Sequence, residues 1–183
     1  PDSPVPPLTV GWTPIYNTPR LAAELGLRQV WVKDDGRLPT ASFKDRASAI
    51  AVVKAREKGA EIITTASTGN AGSSLACVAA ALGLRAVVFV PESAPAAKLT
   101  QLLSYGAQVL AVRGSYDEAF DLCLAACDQF GWFNRNTGYN PFTREGKKTC
   151  SFEVCEQLGW EASDYVVVPT GDGNIISAVW KGW

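Results

Sequence analysis

Four times in this chain a helical pattern ends on a glycine and a short apolar run follows. Gly26 precedes Val30 to Lys33, Gly59 precedes Ile62 to Thr64, Gly83 precedes Arg85 to Val90, and Gly106 precedes Ala107 to Val112. A glycine just past a helix supplies the left-handed residue that stops it. The runs are continuous rather than alternating, the pattern of strands covered on both faces. Apolar spacing of 3.6 residues predicts helices over Leu21 to Leu25, Ser42 to Lys58, Asn70 to Leu82, Ala96 to Tyr105, Ser115 to Phe130 and Thr149 to Leu158. In the second of these Phe43, Ala47, Ile50 and Val53 form the apolar stripe. A further strand is expected over Asp164 to Pro169, then a turn at 171–173 and a helix from Asn174. Residues 134–146, rich in Asn, Gly, Pro and Thr, read as loop, and the first twenty residues, with six prolines, as an extended wrapping segment. Such alternation predicts an α/β fold, with parallel sheets and helices on both faces.

Composition narrows the function. Apolar residues make up 47 % of the 183 and charged residues 19 %, so a sizeable core is expected. A net charge of -1 argues against nucleic acid or an anionic membrane as partner. No apolar run approaches the roughly 18 residues that cross a bilayer. Five cysteines fall in helical patterns and read as reduced thiols, which predicts a cytoplasmic setting. They lack metal-ligand spacing, and no histidine is present, so no metal site is expected. A Ser-His-Asp or Cys-His hydrolase cannot be built without histidine. Acid-base chemistry would fall to a lysine, a carboxylate or a cofactor.

Three segments remain, each at the start of an expected helix. Ser42-Phe43-Lys44-Asp45 fits the capping pattern Ser-x-x-Asp, with Ser42 as the cap and Lys44 in the first turn. The helix dipole disfavours a cation there, and the same field with burial favours the neutral, nucleophilic amine. An exposed lysine tolerated at small cost is the plainer reading of this segment taken alone. Ser67-Thr68-Gly69-Asn70 opens the helix after the 62–64 strand. Its hydroxyls and free N–H groups would suit a carboxylate, or make a simple turn. Gly171-Asp172-Gly173-Asn174-Ile175 follows the 164–169 strand and suits a phosphate at a helix N-terminus. It is neither a dinucleotide fingerprint, since Ile176 stands where GxGxxG needs glycine, nor a Walker loop. Together a nucleophilic lysine, a carboxylate seat and a phosphate seat match the needs of pyridoxal 5'-phosphate and an amino-acid substrate.

"PTASFKDRA", "STGNAGSSLA", "NPFTREGKKT" and "VPTGDGNIISAVWKG", in that order, resemble the threonine synthases of the tryptophan-synthase-β-like, fold type II family of pyridoxal-phosphate enzymes. "GWTPIY" and "VWVKDDGRLPT" resemble the family's N-terminal segments. The resemblance implies that Lys44 carries the cofactor and shuttles protons. It implies that Phe43 packs beside the ring and Asn70 bonds its phenolic oxygen. Ser67, Thr68, Gly69 and Asn70 would hold the substrate carboxylate, and Gly171, Asp172, Gly173, Asn174 and Ile175 the cofactor phosphate. Asp45 and Arg46 are expected to cap and to form a local ion pair; Glu145 and Lys147 receive no role. The implied reaction turns O-phosphohomoserine and water into threonine and phosphate. Deamination of threonine or serine, replacement on phosphoserine by sulfur, and a non-catalytic domain that keeps the fold are the alternatives.

Family members continue well beyond Trp183. The resemblance therefore implies a chain truncated after the phosphate loop, needing a homodimer or a C-terminal portion to complete the site. It also implies a small α/β domain over 56–140, inserted into a large domain made by 1–55 and 141–183.

Overall fold

The structure, a computed structural model, describes residues 4–183. Residues 1–3 of the expected extended segment lie outside that range. Four parallel strands form the main sheet: β3 (Ile62–Ala66), β4 (Arg85–Pro91), β5 (Gln108–Val112) and β6 (Phe133–Asn134), in the order β5-β4-β3-β6. The helices α3 (Asn70–Ala81), α4 (Ala96–Ser104) and α5 (Tyr116–Phe130) connect them.

Side-chain alternation along β4 shows why helices cover both faces. Ala86, Val88 and Val90 point into one core with Leu75, Val78 and Ala79 of α3 and Leu102 of α4. Val87 and Phe89 point the other way, onto Ala119, Cys123 and Ala126 of α5. Successive residues of a strand face opposite sides, so an apolar run needs two covers. The expected α/β class with parallel sheet and two helical layers is what forms. The two edge strands depart from full burial: Leu110 of β5 is exposed, and both residues of β6 are half-buried.

A second layer joins three helices. The helix α2 (Lys44–Glu57) packs against α6 (Phe142–Gln157), and α6 against α7 (Asn174–Gly182). Ala51, Val52 and Ala55 of α2 reach the sheet core. Nearer the N-terminus, β1 (Ile15–Asn17) pairs antiparallel with β2 (Trp31–Lys33), with α1 (Pro19–Leu25) between them.

Several expectations are corrected here. Residues 142–146 are not loop: α6 starts two turns before Thr149, because Asn140 and Pro141 act as a start signal. The Asn140 side-chain oxygen accepts from Phe142 N at 2.9 Å, and the Thr143 hydroxyl donates to Asn140 O at 2.8 Å. Asn134, also assigned to that loop, ends the two-residue strand β6. The Asp164 to Pro169 run is not a strand. It has no pairing partner among the described residues, and Tyr165 and Val167 lie open. The first twenty residues are extended only in part, since Pro19 opens α1.

Candidate active site

The chain winds β3 to β4 to β5 in one direction, then crosses by α5 to β6 on the other side of β3. That reversal makes a switch point between β3 and β6, and ligands of open α/β sheets sit beyond the strand ends there. Ser67 to Asn70 leave β3 at this place, and Arg135 and Asn136 leave β6 beside them. Arg135 N donates to Thr64 O at 2.8 Å. Asn136 Oδ1 accepts from Ala66 N and from the Thr65 hydroxyl, both at 2.8 Å.

Lys44 is the first residue of α2 and is half-buried. The approach to it is tight. Ala41 adopts φ 53°, a left-handed conformation that costs roughly 1–2 kcal/mol in a residue with a Cβ. The Asp45 carboxylate fastens this turn by accepting from Thr40 N at 2.7 Å and from the Thr40 hydroxyl at 2.6 Å. The expected capping box therefore does not form. Ser42 Oγ accepts from Lys44 N at 3.2 Å instead, and Asp45 serves Thr40. The expected local ion pair of Asp45 and Arg46 is absent too. Arg46 reaches Asp35 and Glu153, and its guanidinium lies 5.8 Å from the Phe43 ring centre.

Burial lowers the Lys44 pKa; repulsion from Arg135 adds to this, and Asp172 opposes it. Lys44 thus stands within the electrostatic reach of the turn at 171–174. In that turn Gly173 takes φ 75°, which favours glycine, and Asp172 Oδ1 accepts from Asn174 N at 3.0 Å. Nothing lies within 4 Å of where a Cβ would stand on Gly69, Gly171 or Gly173, so these backbones face open space. Asn174 is buried, and its side-chain oxygen accepts from Lys147 Nζ. Ile175 is half-buried. Ser67 is buried, with its hydroxyl accepting from Gly69 N at 3.2 Å, and Thr68 is half-buried. Asn70 is tied elsewhere: it is exposed, and its side-chain oxygen takes Lys98 of α4 at 3.4 Å.

Two cations stand out that the sequence leaves without a role: Lys147, named there with none, and Arg135, not singled out. Arg135 and Lys147 are both fully buried, and among the described residues neither forms an ion pair. Arg135 donates to Ser48 Oγ and to Thr137 Oγ1; burial pulls it down to about 10, which leaves it charged at neutral pH. The burial of Lys147 could have been found. Thr143, Gly146, Lys147, Cys150 and Ser151 repeat at helical spacing as a buried face of small residues interrupted by one lysine. For Arg135 only tertiary placement carries the signal.

The pyridoxal-phosphate-dependent enzyme family model matches residues 7–183. The chain belongs to that family. Threonine synthase of Methanocaldococcus jannaschii is 42 % identical over 183 residues, which is all of this chain and 45 % of that protein. O-ureido-L-serine synthase superposes with a TM-score of 0.84 at 26 % identity, over 95 % of this chain and 57 % of that one. Diaminopropionate ammonia lyase of Escherichia coli, solved with an aminoacrylate-PLP azomethine intermediate, gives 0.83 at 23 % identity, over 94 % and 51 %. The chain spans about half the length of the curated relatives it matches.

The residues present fit the family's cofactor. A half-buried amine of reduced basicity suits its aldehyde. Two buried cations without carboxylate partners, beside open glycine turns, suit its phosphate. Free thiols remain at all five cysteines, and no helix of the described residues is long and apolar enough to cross a membrane.

Proposed function

We propose that this chain forms the lysine-bearing part of a cytoplasmic, pyridoxal-phosphate-dependent threonine synthase, which converts O-phosphohomoserine and water to threonine and phosphate. The observation that carries the reading is Lys44 at the start of α2, within reach of Asp172 in the glycine turn and of Arg135 beyond the sheet switch point. The 42 % identity with an archaeal threonine synthase supports the substrate. Residues 56–140, which hold β3 to β6, act on this reading as the small domain, and 1–55 with 141–183 as part of the large one. A partner copy or further chain completes the site.

Pyridoxal phosphate supplies an aldehyde carbon that links to amines and a ring that accepts the electron pair left by a departing α-proton. Lys44 Nζ holds it, and Phe43 flanks the ring. With the cofactor bound, the Lys44 amine would be the base placed to take the substrate's α-proton. Its depressed basicity suits that task at neutral pH. Ser67, Thr68, Gly69 and Asn70 orient the substrate carboxylate, and Gly171 to Ile175 seat the cofactor phosphate. Phosphate leaves the γ-carbon, and water adds at the β-carbon. To meet the cofactor, Asn70 must give up its bond with the exposed Lys98 side chain, which side-chain rotation allows.

Borohydride trapping followed by peptide mapping tests this reading. The cofactor is expected on Lys44 and lost in Lys44→Ala. A label on another lysine, or an unchanged one in Lys44→Ala, would remove the proposal. Threonine formed from O-phosphohomoserine, and not from phosphoserine with sulfide, checks the substrate.

A further inference from the structure

Lys147 has no part in the chemistry just described, yet among the described residues it is the one lysine with no exposed surface. It projects from α6, which lies between α2 and α7, and its amine meets Asn174 at the first turn of α7. An ammonium has three N–H donors, and the described residues occupy one. A buried ammonium with no anion beside it loses several kcal/mol of hydration, so such a site holds either a neutral amine or an anion.

We propose that Lys147, backed by Arg135, is a second seat for the cofactor phosphate on the buried side of the glycine turn, and that it takes up a proton from solvent as the dianion arrives. This rests on the function proposed above. Four charged groups act on Lys147 most strongly. From α2 comes Lys44, from the segment after β6 comes Arg135, from its own helix Arg144, and from the turn before α7 comes Asp172. Those three cations outnumber Asp172 and the buried Asp45 of α2, which acts on Arg135, so positive charge remains in excess for an anion to neutralise. Burial pushes the Lys147 amine down to about 7; Arg135 and Lys44 add to this, Asp172 opposes it and Arg144 adds a little. Near neutral pH the amine is thus poised between its two forms. The contact with Asn174 assigns the cofactor's phosphate rather than the substrate's, because Asn174 belongs to the turn that seats the former.

The test uses the full protein that carries this chain, freed of cofactor. Titration with pyridoxal phosphate and with pyridoxal separates the phosphate from the ring. Lys147→Gln is expected to weaken the phosphorylated form about tenfold or more and to leave pyridoxal within about twofold. A Lys147→Met variant, which keeps the volume, repeats the result. Unaltered protein provides a second arm, since sulfate stays doubly charged across the range. Its thermal protection should weaken by up to about tenfold in affinity per pH unit above 7, as Lys147 must gain a proton to bind it. That dependence should vanish in Lys147→Gln. Equal affinity for pyridoxal phosphate in wild type and variant overturns the proposal, as does pH-independent sulfate protection. So does a raised KM for the phosphorylated substrate with cofactor affinity unchanged, which would hand Lys147 to the substrate. A borohydride label away from Lys44 with the sulfate arm intact would instead strike the catalytic reading and spare the anion seat.

Discussion

Arg46 shows at the scale of one residue how a buried charge is made tolerable. Nε and Nη2 meet Asp35 at 2.6 and 2.9 Å, and Nη1 and Nη2 meet Glu153 at 2.5 and 2.8 Å. Thr149 and Thr13 take the remaining edges. Lys33 adds a second cation to Glu153 at 2.8 Å. Such a network ties the N-terminal segment, α2 and α6 together. Its worth lies in being complete, because removing one partner strands the others. Arg46→Leu is expected to cost about 3–5 kcal/mol, read as a fall in the urea midpoint at constant slope. The same network sets an acid limit. Burial would raise the Glu153 pKa, but hydrogen bonds from Arg46 and Lys33 prevail and hold it at about 2. A folded pKa below the unfolded one gives stability that is present above about pH 4.3 and is lost as pH falls towards 2. The full loss amounts to roughly 2–3 kcal/mol for this one group. Glu153→Gln should flatten stability against pH across that window, and an unchanged slope would refute the assignment. Asp35, Arg46 and Glu153 lie far apart in the chain, so no local pattern announces their meeting.

Between elements, two glycines decide how closely the site helices approach. A Cβ on Gly146 would stand 2.1 Å from Arg46 O on α2, and one on Gly182 would stand 2.6 Å from Lys148 O on α6. The layer α2–α6–α7 therefore packs backbone against backbone, which brings Lys44, Lys147 and Asn174 to one end. Alanine at Gly146 gains about 1 kcal/mol of helix propensity. It loses more to overpacking, typically 1–3 kcal/mol and greater where backbone blocks relief. Gly146→Ala is thus expected to lower the melting temperature and to weaken cofactor binding, as α6 moves off α2. Gly69→Ala, with open space around it, should leave stability within about 0.5 kcal/mol. Matching melting shifts in the two variants would contradict this packing account. Helix ends were legible wherever glycine closes them, as at Gly26 and Gly131, both left-handed C-caps. The start of α6 was not, because Asn140 and Pro141 signal loops and helix starts alike. The 164–169 run shows the converse: strand propensity without a neighbour leaves an open, unpaired segment.

At the scale of the whole molecule, the candidate site follows from the reversal of winding between β3 and β6. The alternation of strands with helices made the parallel sheet legible, and the three helix-start segments named the candidate residues, whose roles are proposals. Strand order is a different matter. The return of the chain by α5 depends on packing Ala119, Cys123 and Ala126 beneath Val87 and Phe89, which no local window contains. Arg135 gains its place through that return and so stayed invisible. Asn136 joins the two windings: it is buried, and its one side-chain oxygen accepts from the last backbone N–H of β3 and from the Thr65 hydroxyl. In Asn136→Ala both donors lose that oxygen inside the protein, where an unsatisfied group costs about 1–3 kcal/mol. The loss falls at the switch point rather than across the sheet. Hydrogen exchange at the Ala66 amide should therefore accelerate more than at Val88 in the centre of β4, with the fall in global stability subtracted. Uniform acceleration of both amides would mean that Asn136 supports the fold generally and does not hold β3 and β6 together at the mouth of the site.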